Sequence, residues 1–90
     1  MGPFIRMGVS RMSFPMPVGH LWVSTVTLPV SRESEEWYGR WFIYDVRPDL
    51  EKNAEIRPLL EGITANFPDE HQADKAAKLD GRRQALAMQG

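Results

Sequence analysis

The sequence predicts a small α+β protein, with an antiparallel β-hairpin or three-stranded sheet in the N-terminal half followed by one or two α-helices. Two observations predict this class. Eight of the nine aromatic residues lie at or before residue 44, and aromatic residues favour strands. The C-terminal half is instead rich in Ala, Glu, Lys, Leu and Gln, which favour helices. Because 90 residues make one domain at most, we predict a single domain over residues 1–80.

Two strands are predicted most clearly, over residues 20–28 and 37–46, where β-branched and aromatic side chains are concentrated. The segment between them, residues 29–36, is polar and begins with a proline, which is typical of a hairpin loop. We therefore expect the two strands to pair antiparallel and to form the centre of the sheet.

The expected register places Leu28 opposite Trp37 and His20 opposite Asp45. Since side chains alternate along a strand, this register assigns every residue to one of two faces. The face that a helix would cover carries Trp22, Val26, Leu28, Trp37, Trp41 and Ile43. The other face carries Leu21, Val23, Thr25, Thr27, Tyr38, Arg40, Phe42, Tyr44 and Val46. A shift of one residue would exchange the partners between the faces.

The N-terminal segment allows two interpretations. Alternating apolar and polar residues over 5–9 predict a short third strand. Alternatively, residues 1–11 form a loose extension of the domain. In either case, Pro15 and Pro17 end a strand or confine it to a sheet edge, because proline donates no ladder hydrogen bond.

Two helices are predicted after the sheet. Helical spacing predicts the first over residues 58–66, and the apolar residues with this spacing are Ile56, Leu59, Leu60, Ile63 and Phe67. The Pro-Asp-Glu run at 68–70 is typical of a helix start and predicts a second helix to Leu79, with Gly81 as its stop. The apolar stripe of this second helix is mostly alanine, so we expect it to lie on the surface or fray. Residues 81–90 are then predicted to be a disordered tail.

The composition argues against several functional classes. A chain without cysteine has no disulfide and no thiolate metal site. A net charge of −1 gives little attraction to nucleic acid. The sequence contains neither an apolar run of about 18 residues nor the apolar core of a secretory signal. We therefore expect no membrane association, no metal, no cofactor and a cytoplasmic location.

Self-association is the leading functional prediction. A lone hairpin is marginally stable in water, and one short helix can cover only one of its faces. The second face remains apolar, and such patches usually mark interfaces. We therefore predict a non-enzymatic interaction or regulatory module that forms a homodimer, with a different protein partner as a further possibility. The predicted interface residues are Leu21, Val23, Arg40, Phe42 and Tyr44.

Two alternative functions use parts of the same hairpin. Arg40, Phe42 and Tyr44 on one face would suit stacking of single-stranded nucleic acid, and this stretch resembles the aromatic strand of an RNA-recognition motif. The resemblance fails where Arg40 occupies an aromatic position, and the net charge makes nucleic acid a less favoured partner. His20 and Asp45 form the one acid–base pair that the register suggests for a small enzyme. No nucleophile motif accompanies them, so a non-enzymatic role is preferred.

Overall fold

The computed structural model describes residues 15–48 and 57–89, which form a four-stranded antiparallel sheet followed by one α-helix. The strand order in the sheet is β1-β2-β3-β4. The elements are β1 (Met16–Val18), β2 (Leu21–Pro29), β3 (Trp37–Tyr44), β4 (Leu60–Ile63) and α1 (Glu70–Gln89). The predicted α+β class is therefore confirmed. The strand predicted over residues 5–9, or the loose extension 1–11, lies outside the described residues.

Strands β1 and β2 form a hairpin with a two-residue turn, Gly19-His20. Gly19 has a φ of +64°, which glycine adopts without steric cost. Glycine at the first turn position is typical of a type II′ turn, whose twist matches that of paired strands. Strand β1 contains Pro17, which lies opposite Trp22 of β2. Because β1 is at the edge of the sheet, the proline there interrupts no central ladder, in agreement with the predicted confinement to an edge.

Strands β2 and β3 form the central hairpin, close to the predicted bounds. The loop is held by a hydrogen bond from the Val30 N–H to the Glu36 carbonyl, at 2.9 Å. The predicted register, however, is wrong by one residue. Trp22 lies opposite Tyr44, and Leu28 lies opposite Tyr38 rather than opposite Trp37.

Strand β4 occupies the segment for which we predicted a helix over residues 58–66, so that prediction is wrong. The spacing of the apolar residues does not reflect a buried helical stripe, because Leu59 and Ile63 are 50% and 65% exposed. The segment instead pairs its backbone with β3. Gly62 fits this arrangement because it lies against the ring of Trp41, where a β-carbon would collide with the indole.

The chain stays beside β3 after β4 ends. The Thr64 N–H donates to the Gly39 carbonyl, and the Thr64 hydroxyl accepts from the Gly39 N–H, each at 2.9 Å. Phe67 and Trp37 then exchange two backbone hydrogen bonds of 2.8 and 2.7 Å. These contacts hold the chain along β3 as far as the end of the sheet at which α1 begins.

Helix α1 starts where the sequence predicts but ends later. The Asp69 carboxylate caps the helix by accepting from the Gln72 N–H at 2.8 Å, and it also accepts from the Gln72 side chain at 3.0 Å. The predicted end at Leu79 is wrong, since the helix passes through Gly81 and continues to Gln89. Residues predicted as a disordered tail, up to Gln89, are therefore helical.

Small residues bring α1 close to the sheet. The buried residues of the helix are Ala73, Ala77, Gly81 and Ala85, each four positions after the last. A β-carbon on Gly39 would lie 2.7 Å from the Ala73 carbonyl oxygen, and one on Gly81 would lie 2.7 Å from a methyl group of Val23. The prediction that this helix lies on the surface or frays is wrong, because the alanines allow close contact instead of providing bulk.

The sheet has a covered face and an open face. The covered face packs against α1 and carries Leu21, Val23, Thr25, Thr27, Trp37, Gly39, Trp41 and Ile43. The open face carries Trp22, Ser24, Val26, Leu28, Tyr38, Arg40, Phe42, Tyr44, Glu61 and Ile63. The face assignment is thus confirmed for β3 and wrong for β2, because a register error of one residue inverts one strand relative to the other.

Polar contacts explain why α1 can cover threonines. The Thr27 hydroxyl donates to the Glu70 carboxylate at 2.8 Å, and the Thr25 hydroxyl is 3.4 Å from the Asp74 carboxylate. Burial of a hydroxyl is costly only without a hydrogen-bond partner. The acidic first turns of α1 provide these partners, so both threonines are buried on the covered face.

The last turn of α1 contacts the turn of the first hairpin. The Gln89 side-chain amide donates to the Val18 carbonyl at 2.8 Å, and its oxygen accepts from the His20 N–H at 3.2 Å. One side chain therefore joins the end of the helix to the β1–β2 turn.

Candidate protein-binding interface

The open face is the candidate functional site. Helix α1 packs against the opposite side of the sheet, and no other helix occurs within the described residues. Three strands therefore present the open face, with its aromatic side chains at the centre and Ile63 on the edge strand β4.

Apolar side chains form a continuous surface on the open face. Trp22, Val26, Leu28, Tyr38 and Phe42 are all partly exposed, whereas Ser24 and Tyr44 on the same face are buried. Contiguous apolar patches of this kind are uncommon on monomeric proteins and mark interaction sites. The aromatic content also fits an interface, since Trp, Tyr and Arg are enriched among the residues that contribute most to binding.

One ion pair on this surface joins β3 to the edge strand β4. A guanidinium nitrogen of Arg40 is 2.8 Å from a carboxylate oxygen of Glu61, and the two side chains are 41% and 49% exposed. The Arg40 guanidinium also lies 5.2 Å from the centre of the Phe42 ring, within range of a cation–π interaction. These two are the charged side chains that the described strands contribute to the open face.

A second arginine lies beside the open face. Arg47, just after β3, places its guanidinium 5.6 Å from the centre of the Trp22 ring. Arginine over an aromatic face presents a flat surface of mixed character, which is suited to contact with another protein.

Tyr44 is buried within the open face next to these groups. Burial raises the pKa of its phenol above 10.0, and the negative charge of Glu61 raises it further. The phenol therefore remains neutral at physiological pH.

A shallow pocket of about 340 Å³ lies at one end of the open face, between Val30, Tyr38, Arg40, Ile63, Thr64 and Asn66. Two of its polar side chains are already engaged. The Thr64 hydroxyl bonds to the backbone at Gly39 and Ala65, and Arg40 pairs with Glu61. The pocket therefore suits an apolar side chain of a partner better than a charged small molecule.

The structure brings together only some of the predicted interface residues. Arg40, Phe42 and Tyr44 lie on the open face. Leu21 and Val23 are 3% and 1% exposed beneath α1, so they are not available to a partner in this fold. The prediction that all five share one face is wrong, because it followed from the incorrect register.

Sequence reasoning also missed part of this surface. Trp22, Val26 and Leu28 were assigned to the covered face by the expected register, yet they lie on the open face. A usable signal was present in β2, since Thr25 and Thr27 alternate with them and the acidic start of α1 offers hydrogen-bond partners.

The proposed acid–base pair is not formed by the sheet. His20 lies in the β1–β2 turn, where its backbone N–H bonds to Gln89. Asp45 follows the end of β3 and is exposed. The predicted alignment of His20 with Asp45 is wrong, because the paired ladder is shifted by one residue and ends at Trp22 and Tyr44.

The described part of the chain contains no cluster of side chains that could form a metal centre. Within residues 15–48 and 57–89, no three His, Asp or Glu side chains converge as metal ligands. Glu70 and Asp74, which flank His71 in sequence, instead take part in the threonine contacts to the sheet.

The described residues define a class, a two-layer α+β arrangement in which the one described helix packs on one face of the sheet. No protein family, curated protein or solved structure matches the chain. Among the described residues, no helix combines the length and the apolar character needed to cross a membrane.

Proposed function

We propose that this protein is a small non-enzymatic interaction module that self-associates through the open face. The observation that carries the proposal is the contrast within one sheet. One face is sealed by α1, whereas the other carries a continuous, partly exposed aromatic surface. Burial of such a surface is the dominant favourable term in most protein association.

A second copy of the chain is the partner that fits the charges best. The strands of the open face contribute one base and one acid, Arg40 and Glu61, so two copies meet without net repulsion. A two-fold interface uses the same patch on both subunits, which is the commonest arrangement of soluble oligomers. A cytoplasmic location is part of the proposal.

Nucleic-acid binding is less well supported by the same surface. Binding of a phosphate backbone depends on arginine and lysine charges that are available to phosphates. Arg40 already pairs with Glu61, and the carboxylate would face any phosphate that approached it. The stacking surface is therefore present, but the positive charge at its centre is largely neutralised.

Light scattering coupled to size-exclusion chromatography tests the proposal. At micromolar concentration we expect twice the chain mass of 10.3 kDa. The Phe42→Ala variant should shift the protein toward monomer, because it removes an aromatic ring from the centre of the open face.

The control is Leu79→Ala, which removes an exposed leucine from α1, away from the open face. This variant should behave as the wild type. A wild-type chain that remains strictly monomeric, or a loss of dimer in both variants, would refute the proposal.

A further inference from the structure

We propose that Arg40 and Glu61 exchange partners across the two-fold axis of the dimer, so that Arg40 of each copy bonds to Glu61 of the other. This inference rests on the proposed self-association and specifies its orientation. In this proposal the ion pair determines the orientation in which a second copy binds, in addition to joining two strands within one chain.

The position of the pair supports this assignment. Arg40 on β3 lies opposite Ile63, whereas Glu61 on β4 lies opposite Phe42, so the two charged residues are diagonal neighbours on one face. Apolar side chains lie beside the pair on β3 and β4, namely Tyr38, Phe42 and Ile63, while Glu61 borders the edge of the sheet. These apolar neighbours would help to exclude water from the pair once the face is buried against a second copy.

The unused bonding capacity of the pair also supports it. A guanidinium has five N–H donors and a carboxylate has two oxygens, each able to accept more than one bond. One contact, between a single Arg40 nitrogen and a single Glu61 oxygen, joins them at 2.8 Å. Each side chain is also about half exposed, so each has both bonding capacity and space for a second partner.

Burial of the open face makes such a second partner necessary. A buried ion pair with unmet donors and acceptors is costly, since desolvation is only offset by complete hydrogen bonding. A two-fold axis beside the pair reverses the direction from Arg40 to Glu61 in the second copy. Each positive group then meets a negative one, whereas any orientation that superimposes like charges is disfavoured.

Charge reversal in separate chains tests the inference. In the Arg40→Glu variant the face carries two acids, and in Glu61→Arg it carries two bases. We expect each variant alone to dimerise about tenfold or more weakly than the wild type, because like charges then face each other. An equimolar mixture should restore affinity as a heterodimer, and the double variant should restore the homodimer.

The measurement is fluorescence energy transfer between labelled chains. The chain contains no cysteine, so Ala87→Cys provides one labelling site on the exposed side of α1. The control is Arg83→Glu on the helix, which changes the net charge by as much as Arg40→Glu does. It should dimerise as the wild type does. Circular dichroism of every variant verifies that the fold is retained.

The outcomes separate this inference from the proposed function. A wild-type monomer overturns both. A wild-type dimer whose charge-reversed variants associate no better when mixed than alone overturns only the exchange of Arg40 and Glu61, and leaves self-association standing.

Discussion

The covered and open faces of the sheet differ in what they demand of their residues. Trp41 and Phe42 are adjacent in the chain and both are large aromatics, yet Trp41 is 8% exposed beneath α1 while Phe42 stays partly exposed on the open face. The covered face accepts glycine and threonine, because the helix approaches closely and provides carboxylates. Close fit to α1, more than the hydrophobicity of the side chains, therefore determines which face of the sheet the helix buries.

The largest expected effect is the loss of a side chain from the covered face. Trp41→Ala should lower the free energy of unfolding by about 3–5 kcal/mol, because it empties a large aromatic site in the core. Phe42→Ala should cost far less when both variants are compared as monomers at low concentration. Urea unfolding followed by circular dichroism gives both values. Equal losses would mean that the two faces do not differ in their contribution to folding.

Overpacking of the helix–sheet contact should have the next largest effect. Ala77 is fully buried, and its methyl group lies where a β-carbon on Gly39 would collide with it. Ala77→Leu should therefore destabilise the fold by about 1–3 kcal/mol. Ala87→Leu, on the exposed side of the same helix, should change stability by less than about 0.5 kcal/mol. A well-tolerated leucine at 77 would contradict close packing of the covered face.

Removal of the helix cap should lower the stability of the fold by less than the two changes on the covered face. Asp69→Ala leaves the Gln72 N–H without its side-chain acceptor, and should cost about 1 kcal/mol. Asp69→Asn retains a capping oxygen and should lose much less. Thermal unfolding of the three proteins ranks them, and a cap effect is ruled out if the alanine and asparagine variants melt together.

The smallest effect concerns ionisation on the open face. Because the pKa of Tyr44 is raised, its neutral form is favoured by the fold. This stabilisation is complete below the ordinary pKa of 10.0 and is lost as the pH rises through the raised value.

Spectroscopic titration of the phenolate checks this in a Tyr38→Phe background, where Tyr44 is the only tyrosine. Glu61→Gln should bring the pKa of Tyr44 closer to its ordinary value. An unchanged titration after that substitution would exclude any electrostatic effect of Glu61 on the phenol.

Local patterns predicted the parts of the fold that depend on local chemistry. The polar loop and the aromatic run over 37–44 marked the central hairpin, and the Pro-Asp-Glu run at 68–70 marked the start of α1. The alternation within β3 correctly separated Trp41 from Phe42, because alternation is a property of a single strand.

Features that depend on two segments could not be read in the same way. The register between β2 and β3 depends on how residues on both strands fit α1, so the expected pairing of Leu28 with Trp37 placed Thr25 and Thr27 on the wrong face. Strand β4 forms because β3 offers it backbone partners. Gly81 does not end the helix, because contact with Val23 on the sheet favours a residue without a side chain at that position.

The order of the elements along the chain has a consequence for synthesis on the ribosome. The four strands of the described residues all precede α1, so they are synthesised before the helix that packs on the covered face. The 20 residues of α1 take about 1–4 s to synthesise, whereas a hairpin closes within about 1–10 μs. Until α1 has been synthesised, the face that it packs on has no helix to shield it, and folding is complete only when the Gln89 side chain contacts the first turn.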